Sequence, residues 1–177
     1  MQTAHEVTGG VRRWARSQRD RYSGGEERPL GGYLATMTVY GGLVGTLAAT
    51  ARLTGRAVPE ELSWADVIRC AAATQKLSRL LAKDPVTSPL RAPFTSFDGT
   101  SGPAELREQV RGRGGRKTVG EMVSCPFCIG VWVATGFTAG LIYLPRTTRL
   151  ATATLTALAG ADLLQFVHAL LEQNAEG

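Results

Sequence analysis

Two stretches of this 177-residue chain carry no charge at all, in a sequence where 20% of residues are Asp, Glu, Lys or Arg. They are residues 30–51 and residues 122–145. A helix needs roughly 20 apolar residues to cross the hydrocarbon of a bilayer, and both runs reach that length. A soluble helix of that size normally keeps a charged face. These runs offer Gly, Ala, Thr, Leu and Val instead, small or apolar residues that let membrane helices approach closely. Gly41, Gly42 and Gly45 in the first run and Gly130, Gly136 and Gly140 in the second suit such contacts. A third run, 150–171, is broken only by Asp162 and His168. Its acid calls for a partner inside a bundle. The mean hydropathy of −0.04 averages these runs with the polar remainder. The competing reading, a soluble bundle, requires unusually bland helices.

Arginines orient the chain. The tail before the first run holds Arg12, Arg13, Arg16, Arg19, Arg21 and Arg28. The stretch 82–123 holds Lys83, Arg91, Arg107, Arg111, Arg113, Arg116 and Lys117. Connections rich in Lys and Arg stay in the cytoplasm, so both stretches belong on one side and an even number of crossings separates them. That argument makes residues 64–81 a crossing or a re-entrant helix, despite Asp66, Arg69, Lys76 and Arg79. Arg69 then sits near the outer boundary, and Lys76 and Arg79 reach toward inner headgroups along their stems. The outer connections are 52–63 and the turn 145–149. Arg12-Arg13 evokes a twin-arginine export signal, but the apolar run begins far downstream and is too long for a signal peptide.

The expected architecture is all-α: a polytopic bundle of about four transmembrane or re-entrant helices with a long basic cytoplasmic loop. Residues 1–29 form a basic flexible tail and 30–171 the bundle, with spans near 30–51, 64–81, 122–145 and 150–171. The loop is 82–121, and 172–177 is a C-terminal tail. Three cysteines are too few for a disulfide-stapled scaffold, and the sequence lacks the alternation of an all-β domain. Residues 98–103 and the basic, Gly-rich 111–116 read as flexible. The latter suits a loop lying on anionic lipid better than a specific nucleic-acid site, which needs stacking aromatics.

Three features bear chemistry. Cys125-Pro126-Phe127-Cys128 places two thiols one helical turn apart. Pro126 suits a first turn, and backbone N–H groups at a helix start favour a thiolate. The pair is a redox couple, half of a metal site, or two small packing residues. No cofactor is expected, and a metal would need further ligands; His168 is the available third. The second feature is Lys76, Arg79 and Lys83, at i, i+3 and i+7 on one helix face, a stripe that anchors the span or binds a lipid phosphate. Asp162, with Gln165 one turn on, is the expected partner of Lys76 or Arg79. The third is 84–95, where Pro85, Pro89 and Pro93 exclude a regular helix and Arg91 is expected to face phosphates. No Walker loop, dinucleotide fingerprint or zinc-protease helix occurs.

The stretch Thr74–Thr95, TQKLSRLLAKDPVTSPLRAPFT, resembles the signature of a bacterial membrane family known as domain-of-unknown-function family 1360, which includes a sporulation protein. Ser124–Phe137, SCPFCIGVWVATGF, and Gly160, Asp162 and Gln165 resemble it too. Gln75 departs from the pattern, which has His there; any ligand or base role of that position is absent here. The resemblance implies a small polytopic inner-membrane protein and carries no activity. It draws attention to Lys76, Arg79, Asp84, Arg91, Cys125, Cys128, Trp132 and Asp162. The leading functional expectation is a non-enzymatic accessory or scaffold in the bacterial cytoplasmic membrane, both termini inside. Its contacts are the bilayer, anionic headgroups, and a protein partner or a second copy. The alternatives are a thiol-redox or metal-binding protein centred on Cys125 and Cys128, and headgroup or anion binding at Lys76, Arg79 and Asp162.

Overall fold

The computed structural model describes residues 28–56 and 61–175 without a break, and residues 10, 11, 13, 14, 16–18, 20–22 and 24 of the tail. The expectations for Arg12, Arg19, part of the flexible tail and part of the first outer connection lie outside the described residues. Helix α1 is Leu30–Leu53 and α2 is Trp64–Lys83. A 3-10 turn, Pro85–Thr87, and a single-turn helix α3, Ser88–Arg91, follow. Strands β1 (Thr95–Gly102) and β2 (Glu105–Val110) form an antiparallel hairpin. Helices α4 (Gly115–Ser124), α5 (Pro126–Tyr143) and α6 (Pro145–Ala175) complete the chain.

Helices α1, α5 and α6 are long and apolar enough to cross a membrane, the outline of a multi-pass membrane protein. Burial within the protein is inverted relative to a soluble domain. Among the described residues the buried hydrophobics are Ala51, Ala73 and Ala82, joined by Ser78, Thr118, Thr148 and Thr152. Leu34, Met37, Leu163, Leu164, Phe166 and Leu170 are exposed. Soluble domains place their large aliphatic side chains inside. Here the fully buried helix residues are mostly small and many large aliphatic ones face outward, as they do where lipid is the solvent.

Side-chain contacts fix the helix directions. Tyr33 donates to Glu121, the Tyr40 hydroxyl meets Thr135, and Thr50 meets Tyr143. Contacts climb both sequences together, so α1 runs parallel to the α4–α5 column. Asp66 pairs with Arg149, Thr156 donates to the Arg69 carbonyl, and Lys76 pairs with Asp162. Hence α2 runs parallel to α6. The α5–α6 corner reverses direction through Leu144 alone, making the two pairs antiparallel. Helix α2, the most charged of the four long helices, lies against both α5 and α6.

Three boundaries and the fold class differ from the expectation. The third apolar run is not one helix over 122–145. Pro126 drives the preceding residue out of the helical region, and Cys125 is extended at φ −107° and ψ 110°, so Met122–Ser124 belong to α4. The turn expected at 145–149 is the first turn of α6, because proline's fixed φ and missing N–H suit a helix start. The corner is tight: a Cβ on Gly140 would stand 2.5 Å from Thr148 Oγ1. Helix α6 continues to Ala175 rather than ending at 171. The loop 82–121 holds a hairpin and a helix, so the protein is mostly helical rather than all-α. Residues 98–102, read as flexible, are the end of β1, and the turn carries Ala104 at φ 57°.

Candidate functional site: a polar cleft beneath the hairpin, and a thiol pair

The inner connection is a built structure rather than a loose loop, and Arg91 is its centre. Its side chain is 1% exposed and pairs with Glu108, 7% exposed, at 2.6 Å. It also donates to the carbonyls of Leu81 (2.8 Å) and Asp84 (3.0 Å) and to Thr87 Oγ1 (2.7 Å). One guanidinium thus ties the end of α2, the 3-10 turn and β2. A planar fork of five donors can do this; an ammonium cannot. Arg91 was expected to face phosphates. It is turned inward because the proline-broken segment leaves carbonyls at the end of α2 without helical partners, and Arg91 satisfies them. The Gly-rich basic stretch is likewise engaged. Arg111 donates to the Ala92 carbonyl at 2.5 Å and Arg116 to the Pro93 carbonyl at 2.5 Å. Gly120 lets α4 press on the hairpin base, since a Cβ there would stand 2.6 Å from Val110 Cγ1 and 3.0 Å from the Phe94 carbonyl oxygen.

Between α2, the hairpin turn and α6 lies a cleft of about 670 Å³. Lys76 and Arg79 line it from α2, Glu105 from β2, and Asp162, Gln165 and Phe166 from α6. Gln75 and Asp84 border it as well. Lys76 Nζ meets Asp162 Oδ2 at 2.5 Å, one of the two pairings expected from sequence. Arg79 pairs instead with Glu105. Lys83 closes α2, where a cation suits the helix dipole. The basic stripe is therefore split among a carboxylate on α6, a carboxylate on the hairpin and a helix end. Glu105 and Glu108 were not singled out from sequence; nothing in their spacing reveals that the chain folds back to present them.

Cys125 is the N-cap of α5. Its Sγ accepts from the Cys128 backbone N–H at 3.3 Å and stands 2.8 Å from Cys128 Sγ. Both thiols are free. Cys128 is exposed and Phe127 is 90% exposed. His168 does not join them as a third ligand. It faces Glu172 at 3.2 Å, and among the described residues no group of three or more His, Cys, Asp or Glu side chains is placed to hold a metal ion. Trp132, one turn further along α5, packs edge-on against Tyr40 at 5.3 Å between ring centres.

A family model described as "Protein of unknown function (DUF1360)" matches residues 70–168. The chain belongs to the DUF1360 family. The matched region runs from within α2 to within α6, so it holds the cleft, the hairpin and the thiol pair and leaves out α1. This DUF1360 protein is similar to the sporulation protein YjcA of Bacillus subtilis strain 168, at 34% identity over 71 residues. That match covers 38% of this chain and 60% of YjcA, so it spans less than two thirds of that relative's length. No solved structure matches the chain.

Proposed function

We propose that this protein is a non-enzymatic component of the bacterial cytoplasmic membrane that crosses it four times, both termini inside, and recruits a partner protein onto the cap made by the 3-10 turn, α3, the hairpin and α4. Helix direction supports the fourth crossing. Because α1 and α5 point the same way, the chain between them must return through the thickness they cross. Helix α2, 20 residues or about 30 Å long, runs opposite to α5 alongside it. Its charges are met from α6 by Asp162 and Arg149 and from the cap by Glu105. The concentration of Arg and Lys before α1 and across the cap supports an inner location for both.

The observation that carries the partner reading is apolar exposure on the cap. Val86, Leu90 and Phe97 are exposed, and on the water side no lipid covers them. Large apolar side chains left exposed on an ordered module offer a surface to a partner. The test is purification of the full chain in mild detergent, with and without Leu90→Ser and Phe97→Ser together. A partner retained in stoichiometric amount by the native protein and lost from an equally folded variant supports the reading. A second copy as the retained species makes the partner the protein itself. Equal retention by both forms rejects the cap as the surface.

A second reading rests on the cleft. Its two cations are paired with carboxylates, Lys76 with Asp162 and Arg79 with Glu105, and Asp84 borders it as well. A bare anion would have to displace a carboxylate, whereas a headgroup bearing both phosphate and ammonium meets both signs. Arg79→Ala should change the lipid that co-purifies, and an unchanged lipid composition rejects it.

A further inference from the structure

We infer that Cys125 and Cys128 form a thiol–disulfide exchange site whose substrate class is a disulfide presented at the membrane surface, with Cys125 as nucleophile and Cys128 as resolving thiol. The two sulfurs are already in contact at 2.8 Å across the first turn of α5. They can become bonded with only a small shift, and helix and bundle are left in place. The order of roles follows from who donates to whom. Cys125 Sγ accepts from both the backbone N–H and the thiol of Cys128, so both donors at the start of α5 converge on the Cys125 sulfur. Pro126 contributes no N–H, and the Cys128 amide supplies the N-cap hydrogen bond to that sulfur. Phe127, held outward between the thiols, offers apolar surface to a polypeptide carrying the disulfide.

The exchange balances without an external electron acceptor. The Cys125 thiolate attacks one sulfur of R–S–S–R′, forming Cys125–S–S–R and releasing R′–S⁻. The Cys128 thiol passes its proton to that thiolate and attacks Cys125 Sγ, forming the Cys125–Cys128 bond and releasing R–S⁻, which takes up the proton lost when Cys125 ionised. The dithiol is oxidised and the substrate disulfide becomes two thiols. The third thiol, Cys70, is half-buried within α2 and takes no part.

The test uses the full chain in detergent micelles with Cys70→Ala throughout. Oxidised glutathione and a disulfide-linked peptide pair serve as separate probes, read by intact mass. With both thiols present, the expected product has lost two hydrogens and retains no adduct. Adding Cys128→Ser should trap one adduct on Cys125; adding Cys125→Ser should slow adduct formation at Cys128 by roughly tenfold or more. Reaction with both probes identifies a general disulfide acceptor, and reaction with the peptide pair alone identifies a polypeptide substrate. Adducts that persist with both thiols present, equal rates in the two single-thiol variants, or no reaction with either probe overturn the proposal. Unchanged circular dichroism and elution of each variant exclude misfolding as the cause. The outcome is independent of whether the cap recruits a partner.

Discussion

At the scale of single residues, the ion pairs divide by what they hold. Arg91 and Glu108 are both buried, and removing one leaves the other's charge without a partner. Arg91→Ala should therefore cost about 3–5 kcal/mol, read as a lower unfolding midpoint in detergent and faster proteolysis between residues 84 and 110. Arg91→Met with Glu108→Leu removes both charges and should recover much of the loss, because an apolar replacement of a buried pair is often near neutral. A double variant as unstable as the single would show that the carbonyl contacts, not the pair, hold the cap. Lys76 and Asp162 were legible in the sequence because Asp162 is the one acid in an apolar run, which calls for a partner, and the basic stripe on α2 offers one. Asp162 keeps partial access to the cleft, so Lys76→Met should cost at most about 3 kcal/mol, the penalty of an unpaired acid in a spanning helix. Adding Asp162→Leu should restore folded yield in membranes. The Arg79 pairing was not legible, since its partner Glu105 arrives on a hairpin that the sequence barely announces.

At the scale of elements, that hairpin is instructive. Its first strand reads TSFDGTSG, with two glycines, an aspartate and one large apolar residue, a composition depleted in strand formers. Tertiary contacts hold it instead. Arg91 grips Glu108, Arg79 grips Glu105, and Arg107 pairs with Asp98 at 2.9 Å. The Asp98-Gly99 pair, usually a turn signal, falls inside the strand at a register irregularity. The break before α5 follows the opposite logic: Pro126 and the local backbone specify it, but an uninterrupted run of uncharged residues conceals it from a search for spans. Contacts at glycines separate the roles of otherwise similar positions. Gly120 and Gly140 face close neighbours, whereas a Cβ on Gly136 would meet nothing within 4 Å. Gly120→Val, pressed between a side chain and a backbone carbonyl that cannot move aside, should destabilise the cap by about 1–3 kcal/mol. Gly136→Ala should be neutral or slightly stabilising. Thermal unfolding of the two variants side by side checks this; equal loss at both positions would mean that Gly136 has a neighbour in the membrane, such as a second copy.

At the scale of the whole molecule, the arrangement of small residues inside and large residues outside decides the solvent. A chain whose buried hydrophobics, among the described residues, are three alanines lacks the apolar interior that holds a water-soluble domain together. Its long helices can be stable only where lipid covers their outer faces. The four helix directions then make a prediction that the three apolar helices alone do not. If α2 returns the chain, Thr54 and Leu144 lie at the outer surface, and Ser101 in the hairpin and Asn174 at the end of α6 lie inside. Cysteines placed singly at these positions in a background with Cys70, Cys125 and Cys128 replaced should report it. In intact cells a membrane-impermeant maleimide should label positions 54 and 144 and leave 101 and 174 unlabelled until the membrane is opened. Labelling of 101 from outside would mean that α2 does not cross. The chain would then pass the membrane three times, and Lys76 would meet Asp162 of α6 from a helix that does not cross. The same strain separates solvent from topology, because a folded monomer recovered without detergent would remove the membrane altogether.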